Sequence, residues 1–265
     1  FGRRGHHHRR SAGKPEGGTA EKGSGGAGGW RGPLWFFAAH HKAGTNLLHG
    51  LASVQAHALD LELCTGTCGY NVLFGKACKI SDGKVSERTM FYCNAGAGDL
   101  EEARAVAGGQ LRAVQIVRDP VALVVSGYVY DMHENDGFHA NRSMRRMEMA
   151  EGLELEARFA LKSVLPGMLA VYKSGRAHGD VLVVRMEDFT ASSESFDRAA
   201  ARLYNYTLGD FASRQLSEQV RKLAMQEDLR RHPEAESPGG VSPAAPKRRA
   251  EEALEGLPAE LLAEL

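Results

Sequence analysis

No stretch of the chain approaches the run of about 18 consecutive apolar residues that a membrane-crossing helix requires, so no transmembrane span is expected. An excess of charge of either sign is also missing. Lys and Arg number 33, Asp and Glu number 33, and the formal net charge is +0. Nothing global therefore draws the chain to nucleic acid or to a membrane surface, and any membrane attachment would need an anchor outside this sequence. Cysteine is scarce: Cys64, Cys68, Cys78 and Cys93 are all there are. The "CTGTC" spacing is not a zinc knuckle and has no histidine partner nearby. Free or half-buried thiols are the plainest reading, and a secretory disulfide is the next. GxxxxGK[ST] is absent, as is a well-placed acidic strand end for magnesium, which excludes a nucleoside triphosphatase loop. No internal repeat is present. The first residue is Phe1, so a fragment or processed product is expected, with room for a signal or anchor upstream.

What is there suits one soluble domain with a tail. Hydrophobic residues are 43% of the chain and charged residues 25%, both ordinary values. Residues 1–32 hold 11 glycines, with arginines around "HHH". Such a segment cannot bury enough apolar surface to offset its ordering entropy, so it reads as a disordered basic leader. Residues 33–265 then form the domain. Two glycosylation triplets, at Asn141 and Asn205, fit a secretory and Golgi route, though a cytoplasmic one stays open.

From Leu34 the pattern alternates between strand and helix. Buried strands are expected at "LWFFAA" (34–39), "LRAVQIV" (111–117) and "DVLVVRM" (180–186), with others at "DLELC" (60–64) and "ERTMFYC" (87–93). Helices are expected over 45–59, 99–107, 148–174 with a kink at Pro166, 192–206 and 211–229. Another opens at Asp119-Pro120, with the aspartate as N-cap and the proline in first position. Strands separated by helices give an α/β fold: a parallel sheet flanked by helices on both faces, a three-layer sandwich like that of P-loop nucleotide-binding proteins.

In such a sheet, ligands gather at the carboxyl ends of the strands. There "LWFFAAHHKAGTNLL" passes from strand to helix through Lys42, Ala43, Gly44, Thr45 and Asn46. A helix N-terminus offers unpaired N–H groups and the positive end of its dipole. Gly44 permits the tight turn, Thr45 and Asn46 add polar side chains, and Lys42 adds a charge. The turn suits a phosphate or sulfate. A second stretch, "IVRDPVALVVSGYVY", sets Arg118 at a strand end and Ser126 eight residues later. A third, "VLVVRMEDFTASSESFDRAA", follows the last strand.

Together, in this order over roughly residues 34–232, these resemble the sulfotransferases that use 3′-phosphoadenosine 5′-phosphosulfate (PAPS). The first stretch is similar to that family's K-x-G-T phosphosulfate loop. The second is similar to its 3′-phosphate motif, R-[DN]-P followed by S-[GA]-Y, and the third to its "VRYEDL" segment. The resemblance implies that Lys42 stabilises the leaving group, that backbone N–H groups of residues 43–46 hold the 5′-phosphate, and that Arg118 and Ser126 hold the 3′-phosphate. It implies PAPS as co-substrate, no metal, and a hydroxyl acceptor on a carbohydrate or small molecule. Arg230 and Arg231, in "LRRHP", match the place of a late basic loop that covers the nucleotide, or else a charged helix end. A P-loop kinase is disfavoured by the missing GK[ST], and an inactive nucleotide- or glycan-binding relative of the same fold remains an alternative.

The catalytic base is not obvious. Between the two phosphate motifs, where many family members keep a histidine or glutamate, "FYCNAGAGDL" has Cys93 and Asn94 instead. The candidates are His57, Glu62 on a strand face shared with Asp60, and the "YDMHENDGFH" cluster with Asp131, His133 and Glu134. His133 is preferred, because a histidine near its normal pKa suits proton transfer at neutral pH. His40 and His41 are expected to cap or pack the turn.

Overall fold

The structure is a computed structural model that describes residues 32–66, 76–78, 80–81, 84–85, 87–133, 144–233 and 244–265. The basic leader, Cys68, the Asn141 triplet and the Glu134 end of the acidic cluster fall outside these residues. Eight strands are described: β1 (Leu34–Ala39), β2 (Leu63–Thr65), β3 (Lys76–Ala77), β4 (Ile80–Ser81), β5 (Lys84–Val85), β6 (Thr89–Cys93), β7 (Leu111–Val117) and β8 (Val181–Arg185). Six of them form one parallel sheet in the order β3-β2-β6-β1-β7-β8. The small antiparallel β4–β5 pair was not legible in the sequence.

β1 is central because all six of its residues are apolar and buried. Its side chains alternate between two cores. Trp35, Phe37 and Ala39 pack with α1 (Thr45–Ala58), α7 (Ser193–Leu208) and α8 (Arg214–Ala224) on one face. Leu34, Phe36 and Ala38 pack with α2 (Ala97–Ala107) on the other. That alternation produces the expected three layers. A third core joins α3 (Pro120–His133), α4 (Met149–Phe159), α9 (Ala244–Leu254) and α10 (Ala259–Glu264), and it includes Ala43 of the strand-to-helix turn.

Several expectations need correction. "DLELC" is not a five-residue strand: Asp60 adopts a left-handed φ of 55° in the turn after α1, and β2 starts only at Leu63. The 148–174 helix runs further, as α4, a π-helical turn at Ala160–Val164, and α5 (Leu165–His178). Pro166 has no N–H to give to the carbonyl one turn back, and the ladder widens just before it. The 211–229 helix shortens to α8 plus a 3₁₀ turn, Met225–Glu227. The free-thiol reading fails as well. Cys64 and Cys78 form a disulfide that ties the middle of β2 to the residue after β3, and Cys93 is also oxidised. Asn205 lies in α7, where its side chain accepts from Arg221 and the Thr207 hydroxyl two residues on is buried. Among the described residues no helix is long and apolar enough to cross a membrane.

Candidate functional site

The three sequence motifs meet at the carboxyl ends of β1, β7 and β8. The turn between β1 and α1 carries two left-handed residues, Lys42 at φ 56° and Gly44 at φ 101°. Glycine is required at 44 twice over. A side chain would be strained at that φ, and its Cβ would lie 2.7 Å from both Ile116 of the second motif and Met186 of the third.

Hydrogen bonds inside the turn decide which groups stay available. The Ala43 N–H donates to the His40 carbonyl at 3.0 Å, and the Thr45 hydroxyl donates to the same oxygen at 3.0 Å. Ala43 is therefore a buried part of the turn and not an anion donor, and Thr45 has no hydroxyl proton to offer a ligand. The first helical N–H to find a partner in α1 is that of Leu48, to Gly44. The N–H groups of Thr45, Asn46 and Leu47 are the ones the helix itself cannot satisfy. Gly44 has no capping side chain and the first turn of α1 has no acidic residue, so neither supplies a counter-charge to the positive end of the helix.

Arg118 joins the two phosphate-type motifs. Its Nη1 donates to the Lys42 carbonyl at 2.7 Å across 76 residues of sequence. Burial lowers its pKa, and the nearby Glu187 and Asp119 charges oppose that shift. Glu187, at the start of α6 (Met186–Thr190), accepts from the Asp119 N–H at 2.9 Å. Asp119 caps α3 as its sequence position implied, accepting from the Ala122 N–H at 2.9 Å. Ser126 is buried in α3, one turn before Tyr130 on the same helix face. The Lys42 ammonium sits over the Tyr130 ring, 3.8 Å from its centre.

The histidines before the lysine pack, as expected. His40 is buried, and its Nε2 lies 3.1 Å from the Gln115 amide nitrogen, which also donates to the Met168 carbonyl at 2.7 Å. Burial pulls the His40 pKa down to about 4, so the ring is neutral and accepts from Gln115. His41 meets Tyr130 and Phe159 edge-on, at 6.2 and 6.0 Å. Its N–H donates to the Asn94 Oδ1 at 2.7 Å. Asn94, in place of the base sought there, thus holds the turn in position from the end of β6, with a left-handed φ of 53°.

Other candidates are placed elsewhere. His57 is in the last turn of α1, about 18 Å of helix from Thr45, and Glu62 precedes β2. Both sit at the opposite end of the sheet, which removes them as bases. Arg231 grips Asp197 with both arms of its fork, at 2.7 and 2.8 Å, and Arg230 donates to the Thr190 carbonyl. These contacts fasten the segment to α6 and α7 and commit both arms of the Arg231 fork to α7. His133 ends α3, and the structure describes nothing of its side chain. One group was missed altogether. Glu156 of α4 feels the charges of Lys42 and Asp131, with its own carboxyl buried. The sequence did hold a signal for it: Gly152, Leu153, Glu156, Ala157 and Ala160 form one helical stripe, and the glutamate is its only charged member.

No family profile matches the chain, and no curated protein matches it in sequence. Among solved structures it is similar to mouse sulfotransferase SULT7A1 complexed with PAP (adenosine 3′,5′-bisphosphate), with a TM-score of 0.51 and 14% identity over 86% of this chain and 80% of that one. The fold is the sulfotransferase α/β fold. Within that fold, the strand-to-helix turn and the Arg118 strand end occupy adjacent positions on β1 and β7, which are hydrogen-bonded neighbours.

Proposed function

We propose that this chain is a sulfotransferase that moves a sulfuryl group from PAPS to a hydroxyl of a carbohydrate or small molecule. The observation that carries the reading is the Arg118–Lys42 contact, which brings the two motifs together around one helix N-terminus whose first turn carries no acidic residue. The N–H groups of Thr45, Asn46 and Leu47 hold the 5′-phosphate end. Arg118 faces the 3′-phosphate with the part of its fork not used on Lys42, and Ser126 adds a hydroxyl. As the acceptor oxygen bonds to sulfur, the bond from sulfur to the phosphate oxygen breaks. Lys42 leaves its seat on Tyr130 to neutralise the charge left on that oxygen. The acceptor's proton goes to a base, for which His133 is the proposed group. Its test is His133→Ala, which should lower kcat by about 10²–10⁴.

The Cys64–Cys78 disulfide supports an oxidising compartment, in keeping with a Golgi or other secretory location. A second reading, an inactive nucleotide- or glycan-binding protein of the same fold, is favoured by Asn94 standing where a base was sought. Titration calorimetry with PAP, with and without magnesium, tests the donor site. Binding that does not need magnesium supports the proposal, and no binding sinks it. Turnover of PAPS against a panel of sugars and phenols then separates the active reading from the inactive one.

A further inference from the structure

Glu156 is hard to explain as a packing residue. It is 2% exposed, and its Oε1 has no hydrogen-bond partner among the described residues. Buried polar atoms are almost always satisfied, so an orphan oxygen in a core needs an account. The fold makes room for this one at Gly127, where any Cβ would overlap Oε1. Gly127 directly follows Ser126, and Tyr130 and Asp131 lie one turn further along α3. Glu156 is therefore lodged against the helix that carries the 3′-phosphate motif, at a glycine one turn before the tyrosine whose ring seats the Lys42 ammonium.

We propose that Glu156 is a positioning residue for Lys42, its buried carboxyl competing with the donor's phosphate for the ammonium. The inference rests on the sulfotransferase reading, since it takes the donor to be the competing anion. The charged groups that bear on the carboxyl are Asp131 from α3 and Lys42 from the turn. Of the other elements around this core, α9 buries Ala250 and Leu254. Four of its five charged residues pair among themselves, Lys247 with Glu251 at 3.6 Å and Arg248 with Glu252 at 3.9 Å, and the fifth is Arg249. On α4 itself Arg158 pairs with Glu154, and Tyr128 of α3 packs beside Gly152.

Burial and the Asp131 charge push the Glu156 pKa up to about 9, and Lys42 works against that shift. At neutral pH the carboxyl is protonated and holds Lys42 only weakly, leaving the cation for the donor. Once ionised it becomes a strong local counter-charge and retains the ammonium. Linkage is reciprocal: if Lys42 moving to the donor raises the proton affinity of Glu156, then losing that proton weakens the donor.

The test is PAP affinity by calorimetry from pH 7 to about 10, which brackets the Glu156 titration. Wild type should lose about fivefold more affinity over that range than Glu156→Gln, which replaces a neutral acid by a neutral amide and cannot ionise. In a Lys42→Ala background the difference between Glu156 and Glu156→Gln should vanish, because the cation that couples them is gone. Parallel pH curves for wild type and Glu156→Gln overturn the proposal, as does a difference that survives Lys42→Ala. Wild type that fails to bind PAP at any pH overturns the sulfotransferase reading itself, a result distinct from parallel curves. Should Glu156→Gln fold poorly, Glu156→Met supplies the same non-ionising comparison without a polar group to bury.

Discussion

At the scale of single residues, the proposed donor site gives two cations different work. Lys42 is a point charge, half-buried and resting on Tyr130. Lys42→Ala should leave the fold intact and cut sulfuryl transfer by about 10²–10³, the range seen when one stabilising group is removed from a transition state. Near-normal turnover of a purified, folded variant would end the leaving-group role. Arg118 differs, because one arm already holds the Lys42 carbonyl and only a fork can hold a phosphate as well. Arg118→Lys should weaken PAP by about 1.5–3 kcal/mol, the worth of hydrogen bonds to charged groups. Binding of adenosine 5′-phosphate, which lacks the 3′-phosphate, should weaken much less. Equal losses in parallel calorimetry would make Arg118 a support of the turn and nothing more.

At the scale of elements, the turn between β1 and α1 is the most constrained piece of backbone, and its constraint was only half legible. The glycine and the helix start could be read from "KAGTN", because turn chemistry is local. That Ile116 and Met186 close over Gly44 could not, since those contacts span 72 and 142 residues. Gly44→Ala should therefore cost about 1–3 kcal/mol, from strain and contact together, and lower both Tm and PAP affinity. A stable Gly44→Ala protein with full affinity would mean that the turn tolerates another conformation. The strands and helices were largely readable because β1, β7 and β8 are continuous apolar runs and the helices keep their periodicity. The failures share one cause. Asp60, Ala43 and Arg231 were read by local pattern and Glu156 was not read at all, whereas each is placed by its surroundings: the turn after α1, the His40 carbonyl, Asp197, and the Gly127 gap. The oxidised cysteines belong to the same class, because β2 and β3 become neighbours only in the sheet.

At the scale of the whole molecule, two buried groups give stability opposite slopes with pH. His40 titrates at about 4 when folded and 6.5 when unfolded. Between those values the unfolded chain binds more protons, so stability rises with pH and is lost as pH falls toward 4. Glu156 titrates at about 9 when folded and 4.5 when unfolded. Between those values the folded chain binds more protons, so stability is fullest below 4.5 and is lost as pH rises toward 9. Each slope approaches about 1.4 kcal/mol per pH unit where one state is protonated and the other is not. Where the windows overlap, from 4.5 to 6.5, the two should nearly cancel, and above 6.5 only the loss from Glu156 remains. Wild type should thus show a plateau in acid and a decline through neutral pH, measured as Tm or as a denaturant midpoint. Glu156→Gln removes one slope. Its stability should climb from pH 4.5 to 6.5 on His40 alone and then stay level, so that the variant gains most over wild type toward pH 9. A variant curve that merely runs parallel to wild type would show that Glu156 reaches solvent and titrates as an ordinary carboxyl, and its hold on Lys42 would fail with it.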